Sequence, residues 1–173
     1  LFKHPLTRNL PIGLANTGWP HGNNAIHRQI YQENITKSGD FYFNFNCCTA
    51  KRRRRLCMKQ LKMKGLVWNP KLEYSAYLQC LKGYKFAICP AGNGVDTHRF
   101  WEALYMGVIP VCVRNPVVEF YASQFPVVVL ERWDLFDKRR ILDSYASIAA
   151  RFEHVKMHMS TIANHIRNSQ PGV

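Results

Sequence analysis

The sequence lacks the features that mark membrane-spanning, zinc-binding and dehydrogenase proteins. No run of apolar residues is long enough to cross a bilayer. The six cysteines show neither a Cys-x-x-Cys pair nor the spacing of a zinc site. No Gly-x-Gly-x-x-Gly follows the first predicted strand, which argues against a dinucleotide-binding dehydrogenase. There is no internal repeat, and an apolar content of 47% argues against a disordered chain.

Acidic residues are scarce. The chain has 11 Asp and Glu against 24 Lys and Arg, which gives a formal net charge of +13. This excess favours anionic partners, such as nucleoside diphosphates, acidic glycans, nucleic acid or an anionic membrane surface, without choosing among them. The densest basic run spans residues 51–55 and opens a predicted helix. We interpret this run as the solvated start of a helix that covers the core, so that Arg52, Arg53 and Arg55 matter little to a ligand. A basic nucleic-acid-binding module is the alternative.

The length of the chain predicts one domain with a substantial core. Residues 1–9 contain Pro5 and are expected to be a linker, and residues 10–173 form the domain. Because residue 1 is Leu and not Met, we expect the chain to be a fragment of a longer protein. Cys89 and Cys112 fall in predicted buried strands, where a thiol behaves as a small apolar group. We therefore expect core thiols, with disulfides as the alternative.

Short apolar runs alternate with helix-type patterns along the whole sequence. The runs have the length and composition of strands, and the segments between them repeat apolar residues three or four positions apart. This alternation predicts an α/β fold, a Rossmann-like doubly wound and mainly parallel sheet with helices on both faces. The predicted strands are 10–14, 41–45, 66–68, 85–89, 108–113 and 127–130. The predicted helices are 24–33, 51–64, 73–81, 97–106, 117–125 and 138–167, the last of them bent or divided.

Residues 84–113 are the part of the sequence that points most directly to a ligand. A glycine-rich turn, Gly92-Asn93-Gly94, separates a buried strand from a helix. Such a turn presents backbone N–H groups and a helix N-terminus to an anion, typically phosphate. Asp96 is either the helix cap or a contact to the ligand.

The predicted helix after this turn carries a polar face near its start. His98, Arg99 and Glu102 are three and four positions apart, so they share that face. Arg99 can pair with phosphate through two parallel hydrogen bonds, and Glu102 can accept hydrogen bonds from ribose hydroxyls. The alternative is a solvated ion pair between Arg99 and Glu102, worth a few tenths of a kcal/mol.

The segment Arg-Phe-Trp-Glu-Ala-Leu-Tyr-Met-Gly-Val-Ile-Pro-Val, residues 99–111, resembles the donor-binding motif of exostosin-like glycosyltransferases. That family pairs an Arg with a Glu three residues later, then places Gly-x-x-Pro-Val on the next strand. The resemblance implies the C-terminal, nucleotide-sugar-binding half of a GT-B fold, with the other half missing. It also implies that Arg99 contacts the diphosphate, that Glu102 contacts the ribose, and that Arg54 reaches the phosphates.

The activity that this resemblance implies is transfer of a sugar from a nucleotide sugar to a glycan or another hydroxyl acceptor. It needs no metal, because cationic side chains and a helix N-terminus stabilise the leaving diphosphate. We expect no nucleic-acid partner. The candidates for a catalytic group are His21, Asp96 and His98, and none of them is singled out. His154 and His158 have the spacing of a metal pair, but no carboxylate motif accompanies them, so no metal site is expected.

Overall fold

The computed structural model describes residues 11–16 and 18–154, except for the side chains of Pro20 and His154. The predicted linker 1–9 and the part of the last predicted helix beyond residue 154, with His158, lie outside the described residues. Within the described part, no helix combines the length and the apolar character that crossing a membrane requires.

The centre of the fold is a four-stranded sheet in which all neighbouring strands are parallel. The strands lie in the same order in the sheet as in the chain. The predicted α/β fold with a parallel sheet is therefore confirmed. The strands are β1 (Gly39–Tyr42), β2 (Tyr84–Ile88), β3 (Ile109–Val113) and β4 (Val128–Leu130).

Helices cover both faces of this sheet, as predicted. One face packs on α1, α3, α4 and α5 through a core that includes Leu78, Leu104 and Tyr121. The other face packs on α2, α6 and α7 through a second core that includes Leu61 and Ile141. The helices are α1 (Asn24–Gln32), α2 (Lys51–Met63), α3 (Tyr74–Lys82), α4 (His98–Tyr105), α5 (Pro116–Ala122), α6 (Lys138–Asp143) and α7 (Tyr145–Ala149), with short 3-10 helices at Pro20–Gly22, Trp133–Leu135 and Ala150–His154.

The central strands are buried from both sides because their residues are almost all apolar. Phe86, Ala87 and Ile88 on β2 and Val111 on β3 are fully buried, which is the pattern expected of a parallel sheet between two helix layers. The helix after β3 begins sharply, since the Asn115 side chain accepts hydrogen bonds from the first free N–H groups of α5. The long predicted helix 138–167 is divided at Ser144, which separates α6 from α7.

Two of the predicted strands are wrong. In the segment predicted as strand 10–14, the described residues are irregular, and Gly13 has a φ of 64°. Residues 66–68 are also irregular. There the backbone pairing with the chain after β1 is made by Asn69 alone, which exchanges hydrogen bonds with Phe43 through its N–H (2.9 Å) and its side-chain oxygen (2.7 Å). One side chain thus supplies the contact that a strand would have made.

All six cysteines are free, so the disulfide alternative is not realised. Cys57, Cys89 and Cys112 are buried, and Cys112 lies in β3 as predicted. Burial and a hydrogen bond with Cys89 raise the pKa of Cys112 well above its usual range. The thiol of Cys112 therefore stays protonated, and the buried thiols pack as small apolar groups.

Two lysines join the end of α1 to the start of β2. Lys82 Nζ donates to three backbone carbonyls at the C-terminal end of α1, at 2.6–2.7 Å, where a cation is favoured by the helix dipole. Lys37 Nζ donates to the carbonyls of Lys82 and Tyr84, each at 2.9 Å. Burial, together with the charge of Lys82, lowers the pKa of Lys37 to about 8.

We expect the folded protein to gain stability from Lys37 as the pH rises from about 8 to about 10.4, the pKa of an unfolded lysine. In that window the unfolded chain holds a proton that the folded chain has released, so the free energy of unfolding rises with pH. Urea unfolding at pH 7.5 and pH 10 should show wild type gaining on the order of 2 kcal/mol relative to Lys37→Met. If the free energies of unfolding of wild type and Lys37→Met differ by the same amount at both pH values, the lowered pKa of Lys37 is contradicted.

Candidate functional site

A cavity of about 580 Å³ opens at the edge of the sheet where the parallel strands end. This is the edge at which open α/β sheets bind their ligands. The turn after β2, the loop after β3, the 3-10 helix after β4 and one side of α2 surround the cavity. Its lining residues are Arg53, Leu56, Gln60, Cys89, Pro90, Ala91, Val95, Cys112, Val113, Arg114, Asn115, Val118, Arg132, Trp133 and Asp134.

Three arginines line this largely apolar cavity, and they differ in their partners. Arg114 pairs with Glu119 and Glu131, each at 2.7 Å, and Arg132 pairs with Asp134 at 2.7 Å. Arg53 forms no ion pair with any carboxylate of the described residues. Arg53 is therefore the cavity arginine whose charge is free to meet a ligand. The sequence analysis expected Arg52, Arg53 and Arg55 alike to matter little to a ligand. In the structure, the winding of α2 directs Arg53 to the cavity and leaves Arg52 and Arg55 outside its lining.

Arg54 holds the turn after β2 and the loop after β1 together. Its guanidinium donates to the carbonyls of Ala91 at 3.0 Å, Asn46 at 2.7 Å and Pro90 at 3.5 Å. Three carbonyl acceptors take up most of the hydrogen-bonding capacity of this side chain. The implied contact of Arg54 with phosphate stays a prediction, and the observed role of the side chain is to fix the wall of the cavity.

The glycine turn is shaped by this arginine. A Cβ at Gly92 would lie 3.0 Å from Nη2 of Arg54, so the absence of a side chain lets the guanidinium approach. The Gly92 N–H donates to the carbonyl of Gly94 at 3.0 Å. It is therefore not open to a phosphate, whereas Asn93 and Gly94 are exposed to solvent.

Arg99 lies on the other side of the turn, toward the end of β1. Its guanidinium donates to the carbonyl of Asn44 at 2.5 Å and lies over the rings of Tyr42 and Tyr77, with distances of 5.6 and 4.6 Å from Cζ to the ring centres. Arg99 forms no ion pair with Glu102, so the alternative of a surface pair is wrong. An anion could use the N–H groups of Arg99 that do not donate to Asn44.

Glu102 faces the interior, which corrects the expectation of a polar face shared with Arg99. The residue is 5% exposed, and its two oxygens accept hydrogen bonds from the hydroxyls of Tyr77 at 2.7 Å and Tyr74 at 3.1 Å. The predicted contact of Glu102 with ribose stays a prediction. Because Glu102 is buried, a ribose hydroxyl can reach its carboxylate only if the side chains that cover it move.

His27 completes this buried network, and sequence reasoning did not find it. Its Nε2 lies 2.7 Å from the hydroxyl of Tyr74. Because that hydroxyl gives its one proton to Glu102, His27 donates from Nε2, and Nδ1 is buried without a hydrogen-bond partner. Burial lowers the pKa of His27, although the charge of Glu102 opposes the shift. The position of His27 beside the apolar Ile30 of the same helix was the only signal available.

Asp96 and His98 attach an irregular segment to the start of α4. Asp96 accepts hydrogen bonds from the N–H of Ile12 at 2.8 Å and from the indole of Trp101 at 2.9 Å, and burial raises the pKa of this carboxyl. His98 Nδ1 lies 2.8 Å from the carbonyl of Gly13. Asp96 is thus not the helix cap, because Thr97 takes that position and no side chain caps the helix.

Of the three candidate catalytic groups, His21 is the one that is exposed. Its ring lies 5.3 Å from that of Tyr74, beside the buried network. Asp96 and His98 are occupied with the segment that contains Ile12 and Gly13. The structure therefore brings the candidates to one end of the sheet without placing them around a single atom.

No group of three or more His, Cys, Asp or Glu side chains that could hold a metal occurs among residues 11–16 and 18–154. The expectation of chemistry without a metal remains a prediction. No protein-family model matches the chain, and no curated protein matches it in sequence.

The hydroxyls of Tyr77 and Tyr121 provide a matched pair of tests for the buried network. Tyr77→Phe leaves one oxygen of a buried carboxylate without a donor, so we expect the free energy of unfolding to fall by about 2 kcal/mol. Tyr121→Phe removes a buried hydroxyl that has no partner in the described structure, so stability should stay the same or rise. Urea unfolding of both variants measures this. Equal effects would show that Glu102 does not depend on Tyr77.

A second expectation concerns pH and His27. Because the pKa of His27 is lowered in the folded state, only the unfolded chain takes up this proton as the pH falls below about 6.5. Wild type should therefore lose stability between pH 7 and pH 5 relative to His27→Gln. The unfolding free energies of the two proteins at both pH values give the test, and a constant difference would argue against a buried neutral histidine.

Proposed function

We propose that this chain is the nucleotide-sugar-binding half of a glycosyltransferase that resembles the exostosin-like enzymes. It transfers a sugar from a nucleotide sugar to a glycan or another hydroxyl acceptor, without a metal ion. The observation that carries the proposal is the cavity at the carboxyl edge of the parallel sheet, next to the glycine turn. Its volume lies within the range of small-molecule sites, which combine apolar walls with a few polar groups.

The chemistry of the walls supports a nucleoside in the cavity. Val95, Val113 and Val118 offer apolar contact to a planar base. Gln60 supplies an amide group that can hydrogen-bond the edge of a base or ribose hydroxyls, whereas the amide oxygen of Asn115 is already occupied as the cap of α5. We assign the base and ribose to these residues, so Glu102 acts on the ligand only if the tyrosine network opens.

A diphosphate requires positively charged groups to bind it, and arginines lie on both sides of the glycine turn after β2. Arg53 lies at the cavity and has no acidic partner among the described residues. Arg54 and Arg99 lie close enough together that, after burial, the charge of Arg99 is the main factor that lowers the pKa of Arg54. Two cations held near each other in this way favour an anion beside them. We assign the diphosphate to this region, with Arg99 and Arg53 as its contacts.

The proposed mechanism uses these cations to stabilise the negative charge that develops on the leaving diphosphate. The uncapped start of α4 adds its dipole to the same region. The group that removes the proton from the acceptor hydroxyl is expected on the missing half of the enzyme or at His21. Asp96 and His98 then act as positioning residues, because they hold the segment at Ile12 and Gly13.

Titration calorimetry of this chain with UDP, GDP and their 2′-deoxy analogues tests the proposal. Arg53→Gln and Arg99→Ala should each weaken nucleoside diphosphate binding by about tenfold or more, since each removes a charge-assisted contact. Arg28→Gln is the matched control, because Arg28 is exposed on α1 at the opposite sheet face, and it should change affinity less than about twofold. Chelator should leave binding unchanged.

Two outcomes contradict the proposal. If the folded chain binds none of these nucleotides, and adding the missing half of the enzyme does not restore binding, the donor-site assignment is wrong. If chelator abolishes binding, the metal-free mechanism is wrong. Glu102→Gln adds a separate readout, since a ribose contact through Glu102 would make the ribo and 2′-deoxy ligands harder to distinguish in this variant.

A nucleic-acid-binding module remains the second candidate, because α2 exposes a set of cations. Oligonucleotide binding with a steep dependence on salt, and no preference for nucleoside diphosphates, would favour it.

A further inference from the structure

The outward side of α2 is a strongly cationic surface. The helix and the residue after it, 51–64, contain eight Lys and Arg and no Asp or Glu. The cations on its outward side are exposed, and they form no ion pair with the described carboxylates: Lys51, Arg52, Arg55, Lys59, Lys62 and Lys64. None of them lines the cavity, and Lys62 alone among them contacts an aromatic ring of the described residues, that of Trp68.

Large apolar side chains are exposed among these cations. Leu56 is 53% exposed and Met63, one heptad further along the same side of the helix, is 77% exposed. Val67 follows the helix and is 83% exposed. Leu135, on the 3-10 helix that packs against α2, is 55% exposed. Single exposed apolar residues are ordinary, but a set of them on a strongly cationic side points to a partner.

Two properties of this surface select the partner. Its charge calls for an anionic surface, and its aliphatic groups call for an apolar phase that they can enter. An acidic glycan offers the first property and not the second, because it is hydrated throughout. A nucleic acid offers apolar contact mainly through its bases, which stack on aromatic side chains, whereas the exposed apolar residues here are aliphatic. A bilayer with anionic headgroups offers both, because short apolar groups enter the interface while Lys and Arg stems extend along it toward the headgroups.

We propose that α2 docks this domain on the surface of an anionic lipid bilayer. Met63, Val67 and Leu56 insert at the level of the headgroups, and Arg52, Arg55 and Lys59 pair with anionic lipid. The site is a surface contact and not a membrane span. The proposal does not depend on the function of the cavity, because the docking residues other than Leu56 do not line it.

Vesicle flotation of the full 173-residue chain tests the proposal, with phosphatidylcholine vesicles alone or containing about one third phosphatidylserine, at a fixed salt concentration near 0.1 M. We expect binding to the anionic vesicles and at least about tenfold weaker binding to the neutral ones. The triple variant Arg52→Gln, Arg55→Gln, Lys59→Gln should lower binding by about tenfold or more. The control with equal loss of charge is Arg28→Gln, Arg139→Gln, Arg140→Gln, all exposed on other helices, and it should change binding less than about threefold.

A second pair of variants separates a bilayer from a soluble polyanion. Met63→Ser with Val67→Ser keeps every charge, and it should weaken vesicle binding by about fivefold or more while leaving binding to a single-stranded oligonucleotide unchanged. Phe120→Ser, at an exposed apolar residue of α5, should leave vesicle binding unchanged. Equal losses for the two charge variants, or no effect of the apolar pair, would overturn the proposal. So would tighter binding to the oligonucleotide than to anionic vesicles.

Discussion

The arrangement of the site depends on one side chain, that of Arg54, and on the carbonyl groups that it holds. A guanidinium has five N–H donors in a fixed plane, so a single residue can fix two neighbouring loops relative to each other. Here Arg54 joins the loop after β1 to the turn after β2 from α2, which packs on one face of the sheet. Gly92 permits this contact because it has no Cβ. The cavity wall is thus fixed by a charged group that the fold uses structurally, while its neighbour Arg53 stays open to a ligand.

The second polar cluster of the molecule lies around Glu102, and its hydrogen bonds are supplied by other side chains and not by backbone groups. A carboxylate buried among apolar side chains is costly unless donors surround it, and the tyrosine hydroxyls of α3 supply them. Arg99 stays near this carboxylate without pairing with it, in contact with two tyrosine rings and bonded to a carbonyl after β1. The network therefore fixes α1, α3 and α4 against one another and holds a cation at the carboxyl edge of the sheet.

The sequence predicted the parts of this structure that depend on local pattern. The buried run of β2, the glycine turn, α4 and β3 were found, because apolar periodicity and glycine placement are visible along the chain. What could not be predicted depends on contacts between distant residues. Nothing local shows that Asn69 replaces a strand next to Phe43, or that Glu102 turns inward to tyrosines of another helix. The spacing of Arg99 and Glu102 was compatible with an exposed face, and only the packing of α3 decides that one of them is buried.

The sequential order of the four strands has a consequence for how the chain folds. Each crossover joins neighbouring strands, and the loop to be closed shortens toward the C-terminal side, from Gly39 and Tyr84 in β1 and β2 to Val111 and Val128 in β3 and β4. Because closing a shorter loop costs less chain entropy, the β3–α5–β4 unit is favoured as the first to form, and β1 joins last. We therefore expect the contact of Arg99 with Tyr42, at the end of β1, to form late in assembly. A chain in which β1 had not yet joined the sheet would lack the contacts of Arg99 with Tyr42 and with the carbonyl of Asn44, and would keep its contact with Tyr77.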